Sequence, residues 1–285
     1  ADSVVFANDS ILADIQLYRI NVSVSGKVTW EGTAVAGAKV TLTRNDEATE
    51  ATTDEDGHYD FADIVPDLSY AITVAADGFE PYSEADSIAV ADTLKNKDIE
   101  LTATPVALTV PETGRTTFSS ERAIDFSKTQ DIKAYVVTAV SGNHLTMKEV
   151  TTVPAHTGVY IEGAAGDYAL APVAKADDVE KNMLVATDAD YTITDADQGK
   201  VWALTVKDGL AAFTSEVNTT IAKNQAYLQA ESAEEVIYIY EVDGINALRM
   251  NSTDSLTPKY NLGGQKVPAG YQGVIILNGR KVVKK

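Results

Sequence analysis

Four aspartates in this 285-residue chain are spaced as Asp188-Ala-Asp190 and Asp195-Ala-Asp197. Alternate carboxylates on two adjacent loops can converge on one hard cation, and calcium accepts such an oxygen-rich, flexible shell. A solvated acidic edge is the competing reading. A second acidic run, Asp54-Glu55-Asp56-Gly57, fails as an EF-hand: counted from Asp54, the required Gly and Glu positions hold Tyr59 and Val65. It reads as a hairpin turn, built on Asx bonding and a glycine that accepts positive φ. His58, His144 and His156 each sit beside a turn signal, and no pair has the spacing of a metal-binding HExxH. There is no GxSxG elbow, and the run from Gly32 to Gly37 continues Ala-Lys where a phosphate loop needs Lys-Ser or Lys-Thr. Scattered carboxylates in an all-β chain without a deep apolar cleft give no support to glycosidase chemistry. The expectation is a protein without catalysis and without a cofactor.

Glycan binding is the more serious site hypothesis, because sandwich folds hold sugars on exposed aromatic rings assisted by polar side chains. The candidates are Trp30 with Asp63 and Asp67, which meander order places at one pole of a sandwich, and Phe79 with Tyr82 at the opposite pole near Asp54. Aromatics make up only 7% of the chain, so each pole offers a thin platform. Trp202, flanked by Val201 and Ala203, is expected to be partly buried.

These residues must be positioned by strands. Across residues 21–103, NVSVSGKVTW, AKVTLTR, HYDFADI and YAITVAA alternate apolar with polar positions, separated by EGTAVAG, TDEDG and PDLS. Period-two patterning with frequent turn chemistry indicates an antiparallel sandwich. Val28, Val40, Phe61, Ile72 and Val74 fall on the inward face. A helical period is nowhere sustained. The pattern restarts after LTATP, and VALTVP, KAYVVTAV, HLTMKEV, GVYIEG, VWALTV, AAFTSEV, QAYLQA and EEVIYIYEV give a second set of short strands over residues 104–245. That region contains an echo: VPAHTGVYIEG and IAKNQAYLQA each place Ala five residues before Tyr160 or Tyr227.

GKVTWEGTAVAGAKVTL, TTDEDGHYDFADI and YAITVAADGFEPY together resemble the carboxypeptidase regulatory-like domain, a small transthyretin-like or immunoglobulin-like sandwich. The resemblance rests on Gly26, Val28, Gly37, Ala38, Val40, Thr53, Asp54, Gly57, Tyr59, Phe61, Tyr70, Val74, Gly78 and Phe79, and it implies architectural roles for them. TFSSERAIDFS, IKAYVVTAV, VPAHTGVYI and IAKNQAYL are similar to a β-sandwich module of exported Bacteroidetes proteins. From Lys259 the chain carries six Lys or Arg and no acid, and YNLGGQKV, GVIILNG and RKVVKK resemble the basic tail of secreted proteins of that phylum. As structure, residues 246–285 read as a hairpin with turns at Gly263-Gly264 and Asn278-Gly279. Asp-Ser/Thr-aliphatic triplets recur at Ser3, Ser10, Ser87, Thr93 and Ser255, similar to the O-glycosylation signal of exported Bacteroidetes proteins.

Residues 2–17 align without a gap on residues 86–101, so that Ile15 and Leu17 fall on Ile99 and Leu101. Residues 1–20 are therefore expected to be the closing strands of a preceding copy of the 21–103 domain. Composition bounds the partners. A formal charge of −19 argues against nucleic acid and anionic membrane surfaces. No apolar run approaches the ~20 residues of a spanning helix, and the absence of cysteine removes disulfides and thiolate chemistry. The sequence thus predicts an all-β protein of tandem Ig-like or transthyretin-like sandwiches with a C-terminal hairpin. Its expected role is a non-catalytic module for display, spacing or adhesion at a cell surface, with carbohydrate binding beside an upstream enzyme as the alternative. A surface glycan or another surface protein is the expected partner.

Overall fold

The computed structural model describes residues 22–65, 68–90, 94–207 and 210–239, with the C-terminal strands 259–261, 266–267, 273–277 and 280–284. Among the described residues the regular elements are strands, joined by two single-turn 3₁₀ segments, Phe126–Lys128 and Asp195–Asp197. Among the described residues no helix is long and apolar enough to cross a membrane. The chain divides into two compact units, Ala1–Thr104 and Pro105–Lys285. Residues 1–20, the expected remnant of a preceding copy, lie outside the described residues.

In the first unit the strand Val22–Trp30 buries Val22, Val24 and Val28 and turns its alternate residues outward. It pairs antiparallel with His58–Ile64 and Thr33–Ala34. On its other side it runs parallel to Leu94–Asn96 and Ile99–Glu100, so this sheet departs from the antiparallel expectation where the first and last strands meet. The second sheet orders Glu47–Thr52, Lys39–Arg44, Leu68–Ala75 and Tyr82–Val90, all antiparallel. Between the sheets Val24, Val28, Val40 and Ile72 are wholly buried, with Phe61 and Val74 beside them. Each such aliphatic side chain contributes roughly 1.5–3 kcal/mol by leaving water. The hairpin between Arg44 and Glu47 turns on Asn45 and Asp46, both at positive φ as a two-residue type I′ turn requires.

The second unit repeats one strand pattern. The first copy runs Arg115–Phe118, Ile124–Asp125, Phe126–Lys128, Ile132–Ser141, His144–Val150, Thr152–Val153 and Val159–Gly163. The second runs Leu184–Ala186, Tyr191–Thr192, Asp195–Asp197, Val201–Lys207, Leu210–Thr214, Thr220–Ile221 and Ala226–Gln229. In each copy the first and last strands pair, in the registers Thr117↔Tyr160 and Val185↔Tyr227. The long strand lies between the last strand and its hairpin partner in both. The two-residue strands pair with each other, Ile124↔Val153 and Tyr191↔Ile221. The strand order is thus duplicated, but the echoed tyrosines fall on opposite faces: Tyr160 is buried with Tyr135 and Trp202, whereas Tyr227 packs with Tyr191 on the other side.

Both copies enter one nine-stranded sheet whose order is a palindrome about Val236–Tyr238. The sheet curls until its edges return on each other: Thr157 bridges Val185, and the Ser119 N–H donates to Asn224 O at 2.8 Å. Inside the curl lie Tyr135, Tyr160, Trp202, Phe213 and Leu228. On the outer face the first copy is covered by a four-stranded sheet that includes Val106–Val110 and Gly166–Pro172. The second copy carries only the pair Tyr191–Thr192 and Thr220–Ile221 there, over a smaller core of Ile193, Val201, Ala203 and Ile221.

The C-terminal strands Lys259–Asn261, Lys266–Val267, Gly273–Leu277 and Arg280–Lys284 form a four-stranded antiparallel sheet, so the expected hairpin is one half of a larger element. The register Leu277↔Arg280 brackets Asn278-Gly279; that pair and Gly263-Gly264 lie outside the described residues.

Candidate functional site

The opening of greatest chemical interest is a cleft of about 310 Å³ in the second unit. Its lining comes from strands of both copies. Strand Arg115–Phe118 supplies Arg115 and Thr117 to one wall, and Thr205, Thr220, Ile221 and Gln225 line the other. Thr117 is buried and its Oγ1 accepts the Ala226 N–H at 3.1 Å, which fixes the wall. The Arg115 guanidinium pairs with Glu162 at 3.0 Å. Behind it the Tyr160 hydroxyl is fully buried; burial raises its pKa, and nearby Arg115 opposes that shift. Val206, 51% exposed, also lines the cleft, and Leu210 on the same hairpin is exposed as well. Threonine hydroxyls and the Gln225 amide share the lining with apolar side chains such as Leu204 and Ile221. Thr, Val and Ala on short strands carry no motif, so this cleft is not legible in the sequence.

The aromatic candidates are arranged differently from expectation. Trp30 ends its strand beside Phe79, the rings edge-to-face at a centroid separation of 5.4 Å, and both pack against the core. The register Val22↔Ile64 puts Asp63 at the other end of that strand, about 25 Å away at ~3.3 Å per residue. Trp30 and Asp63 therefore do not share a pole. Phe79 reaches Trp30 because its turn folds onto the departing chain, with a bridge to Ala103 and a bond of 2.8 Å from Glu80 N–H to Thr102 O. Tyr82 donates instead to the Glu84 carboxylate, which Lys97 Nζ holds at 2.6 Å. Asp67 lies outside the described residues. Trp202 is 1% exposed rather than partly buried, its Nε1–H bonded to Ala230 O at 2.9 Å. A stacked pair absent from the sequence reading, Tyr191 and Tyr227, has centroids 5.3 Å apart and stands half-buried near the cleft strand Thr220–Ile221.

The four aspartates are taken up individually. Asp188 meets His156 Nδ1 at 2.9 Å, and Asp190 accepts the Lys223 N–H at 2.8 Å. Asp197 closes a capping box on Thr194, which holds its carboxyl below the usual range, while Asp195 stands in the first turn of the same segment. Among the described residues no three His, Asp or Glu side chains are grouped to hold a metal ion. Asp54 accepts the N–H groups of Asp56 and His58 at 3.0 and 2.8 Å, the bonding of a turn. Of the modification candidates, Ser87 belongs to strand Tyr82–Val90; Ser3, Ser10, Thr93 and Ser255 lie outside the described residues.

Residues 23–118 match the model of the carboxypeptidase regulatory-like domain. Most of the matched stretch falls in the first unit. Within that stretch the residues that carried the resemblance are turn and core residues: Gly57 stands at φ 79°, and Tyr59 and Phe61 are buried edge-to-face partners. The matched stretch continues past the unit boundary to Phe118, the strand that forms one wall of the cleft. No curated protein matches the sequence. Among solved structures, the chain is similar to a type II cohesin–X-dockerin complex of Acetivibrio cellulolyticus at 18% identity, covering 30% of this chain and 61% of that one, TM-score 0.25. It spans, that is, about three-fifths of that chain. A DUF3823 family protein of Parabacteroides merdae is 9% identical over 77% of this chain and 98% of its own, TM-score 0.25. The major pilin subunit of Bacillus cereus is 11% identical over 93% and 98%, TM-score 0.24. Likenesses of this order do not extend to ligand or activity.

Proposed function

We propose that the chain is a non-catalytic structural module, exported and displayed at the surface of a Bacteroidetes-like bacterium. One observation carries this reading: the side chains with the chemistry of active sites are engaged in holding turns and strand edges. Asp54 pins a hairpin, Asp98 and Glu100 grip the first strand, and Asp188 and Asp197 tie loops of the second unit. The acidic charge of −19 keeps such a module soluble and apart from its neighbours. Ser3, Ser10, Ser87, Thr93 and Ser255 are proposed as acceptors of protecting O-glycans. Brief proteinase K treatment of intact cells should remove the chain while cytoplasmic controls survive, and the mass of the natively purified protein should exceed that of the bare polypeptide by hexose-containing increments. Full protection in intact cells that vanishes on lysis would reject surface display.

A second reading, glycan binding, is favoured by the threonine- and glutamine-lined cleft beside the Tyr191–Tyr227 pair. Retardation of the chain in gels containing soluble polysaccharide, lost in Gln225→Ala, would support it.

A further inference from the structure

We propose that the regulatory-like domain is a tensile clamp, built to carry load between its two chain ends. The inference deepens the structural reading of function, and it is tested on purified protein, so it can fail without touching surface display. It starts from the parallel seam among the described residues of the first unit. The described residues of this unit begin at Val22, at the start of strand Val22–Trp30, and end at Thr104, just past the end of Ile99–Glu100. Because those terminal strands run parallel, pulling the two ends apart draws them along one another in opposite directions. The bonds between them lie across the pull and are loaded together. A hairpin pulled at its open end loses its bonds one at a time.

The seam is reinforced well beyond its backbone register of Ser23↔Leu94 to Thr29↔Glu100. The Lys97 N–H donates to Ser25 O and the Leu101 N–H to Thr29 O, both at 2.8 Å. Asp98 Oδ1 accepts the Lys27 N–H at 2.9 Å. The Glu100 carboxylate accepts from the Thr29 hydroxyl and from the Glu31 N–H. Tyr59, from the strand on the other side, donates its hydroxyl to Lys97 O at 2.5 Å. Hydrogen bonds to charged groups are the stronger kind, and here they alternate with backbone bonds along the seam. Gly26 permits the close approach, since a Cβ there would meet Lys97 O at 1.8 Å. Ile99 and Leu101 anchor the last strand in the core, 2% and 3% exposed.

The absence of native cysteine lets the full chain be held at chosen points for single-molecule force measurement. Handles at Asn21→Cys and Thr104→Cys load the seam in shear. Handles at Lys39→Cys and Thr52→Cys, register partners at the open end of a hairpin, load the same domain in peeling. At equal loading rate the first geometry should unfold at the higher force. Asp98→Ala and Glu100→Ala should each speed unfolding in shear by about tenfold, the effect of one charged hydrogen bond broken at the transition state. They should leave the peeling force unchanged. Circular dichroism establishes that each variant is folded before it is pulled, and Glu55→Ala, an exposed change in the turn after Glu47–Thr52, serves as a control expected to alter neither geometry. Equal unfolding forces in the two geometries, or carboxylate variants that weaken both alike, would overturn the clamp.

Discussion

Thr53 is 5% exposed, and its hydroxyl both donates to Val35 O at 2.7 Å and accepts the Ala38 N–H at 2.8 Å. It joins the loop before Lys39–Arg44 to the turn that Asp54 pins, so two connections are held by adjacent residues. Thr53→Val keeps the shape and removes both bonds, stranding a donor and an acceptor in the interior. The expected cost is about 1–3 kcal/mol for an unsatisfied buried group. Urea denaturation of the first unit should show a lower midpoint with an unchanged slope, and Thr53→Ser should restore most of the loss. Asp54 differs because its carboxylate is exposed and bonds locally. An acidic turn resembles an ion loop in sequence because both use Asp and Gly, and only the directions of the oxygens separate them.

At the scale of elements, the duplicated strands of the second unit are tied by reciprocal surface pairs. His156, on the approach to the last strand of the first copy, meets Asp188 of the second, and Lys223, on the corresponding approach in the second, meets Glu121 of the first at 2.9 Å. The Lys223 ammonium holds the Glu121 carboxyl below its usual range, as the Thr194 cap does for Asp197. For both acids the folded pKa lies below the unfolded one. Their stabilisation is complete above the ordinary carboxyl range near ~4 and is lost as pH falls through the lower folded values. Melting temperature should therefore fall between pH 5 and pH 2 more steeply, by a small margin since both groups are exposed, than in Glu121→Gln/Asp197→Asn, assuming ~4 for unfolded carboxyls. Parallel curves would mean that these contacts contribute nothing to acid stability.

Over the whole molecule, the core of the first unit draws its buried residues from 22–101 and the cores of the second from 108–237. The chain's two tryptophans are divided between them, Trp30 in the first and Trp202 in the second. In a Trp30→Phe background fluorescence reports the second unit alone. Adding Thr53→Val there should leave the reported midpoint in place, while calorimetry registers the weakened first unit. If the Trp202 transition moves with Thr53, the units unfold as one cooperative body and the division fails.

Much of this was legible in the chain before folding. Alternation in VSVSGKVTW and AKVTLTR determined which faces of those strands are buried, because side chains along a strand alternate sides with period two. Turn residues marked where the chain reverses, as at Asp54 to Gly57. These are local properties, written within a few residues. Partnership and direction are not local. Nothing near Val22 specifies that Ile99 returns parallel to its strand, nor that Phe79 rather than Asp63 meets Trp30. The cleft, the cross-copy pairs and the seam arise from contacts between residues roughly 30 to 110 apart in sequence, fixed only when sheets close on a shared core. The sequence by itself determined the strands and their inward faces; tertiary structure decided which edges meet, because edge pairing depends on how whole sheets pack.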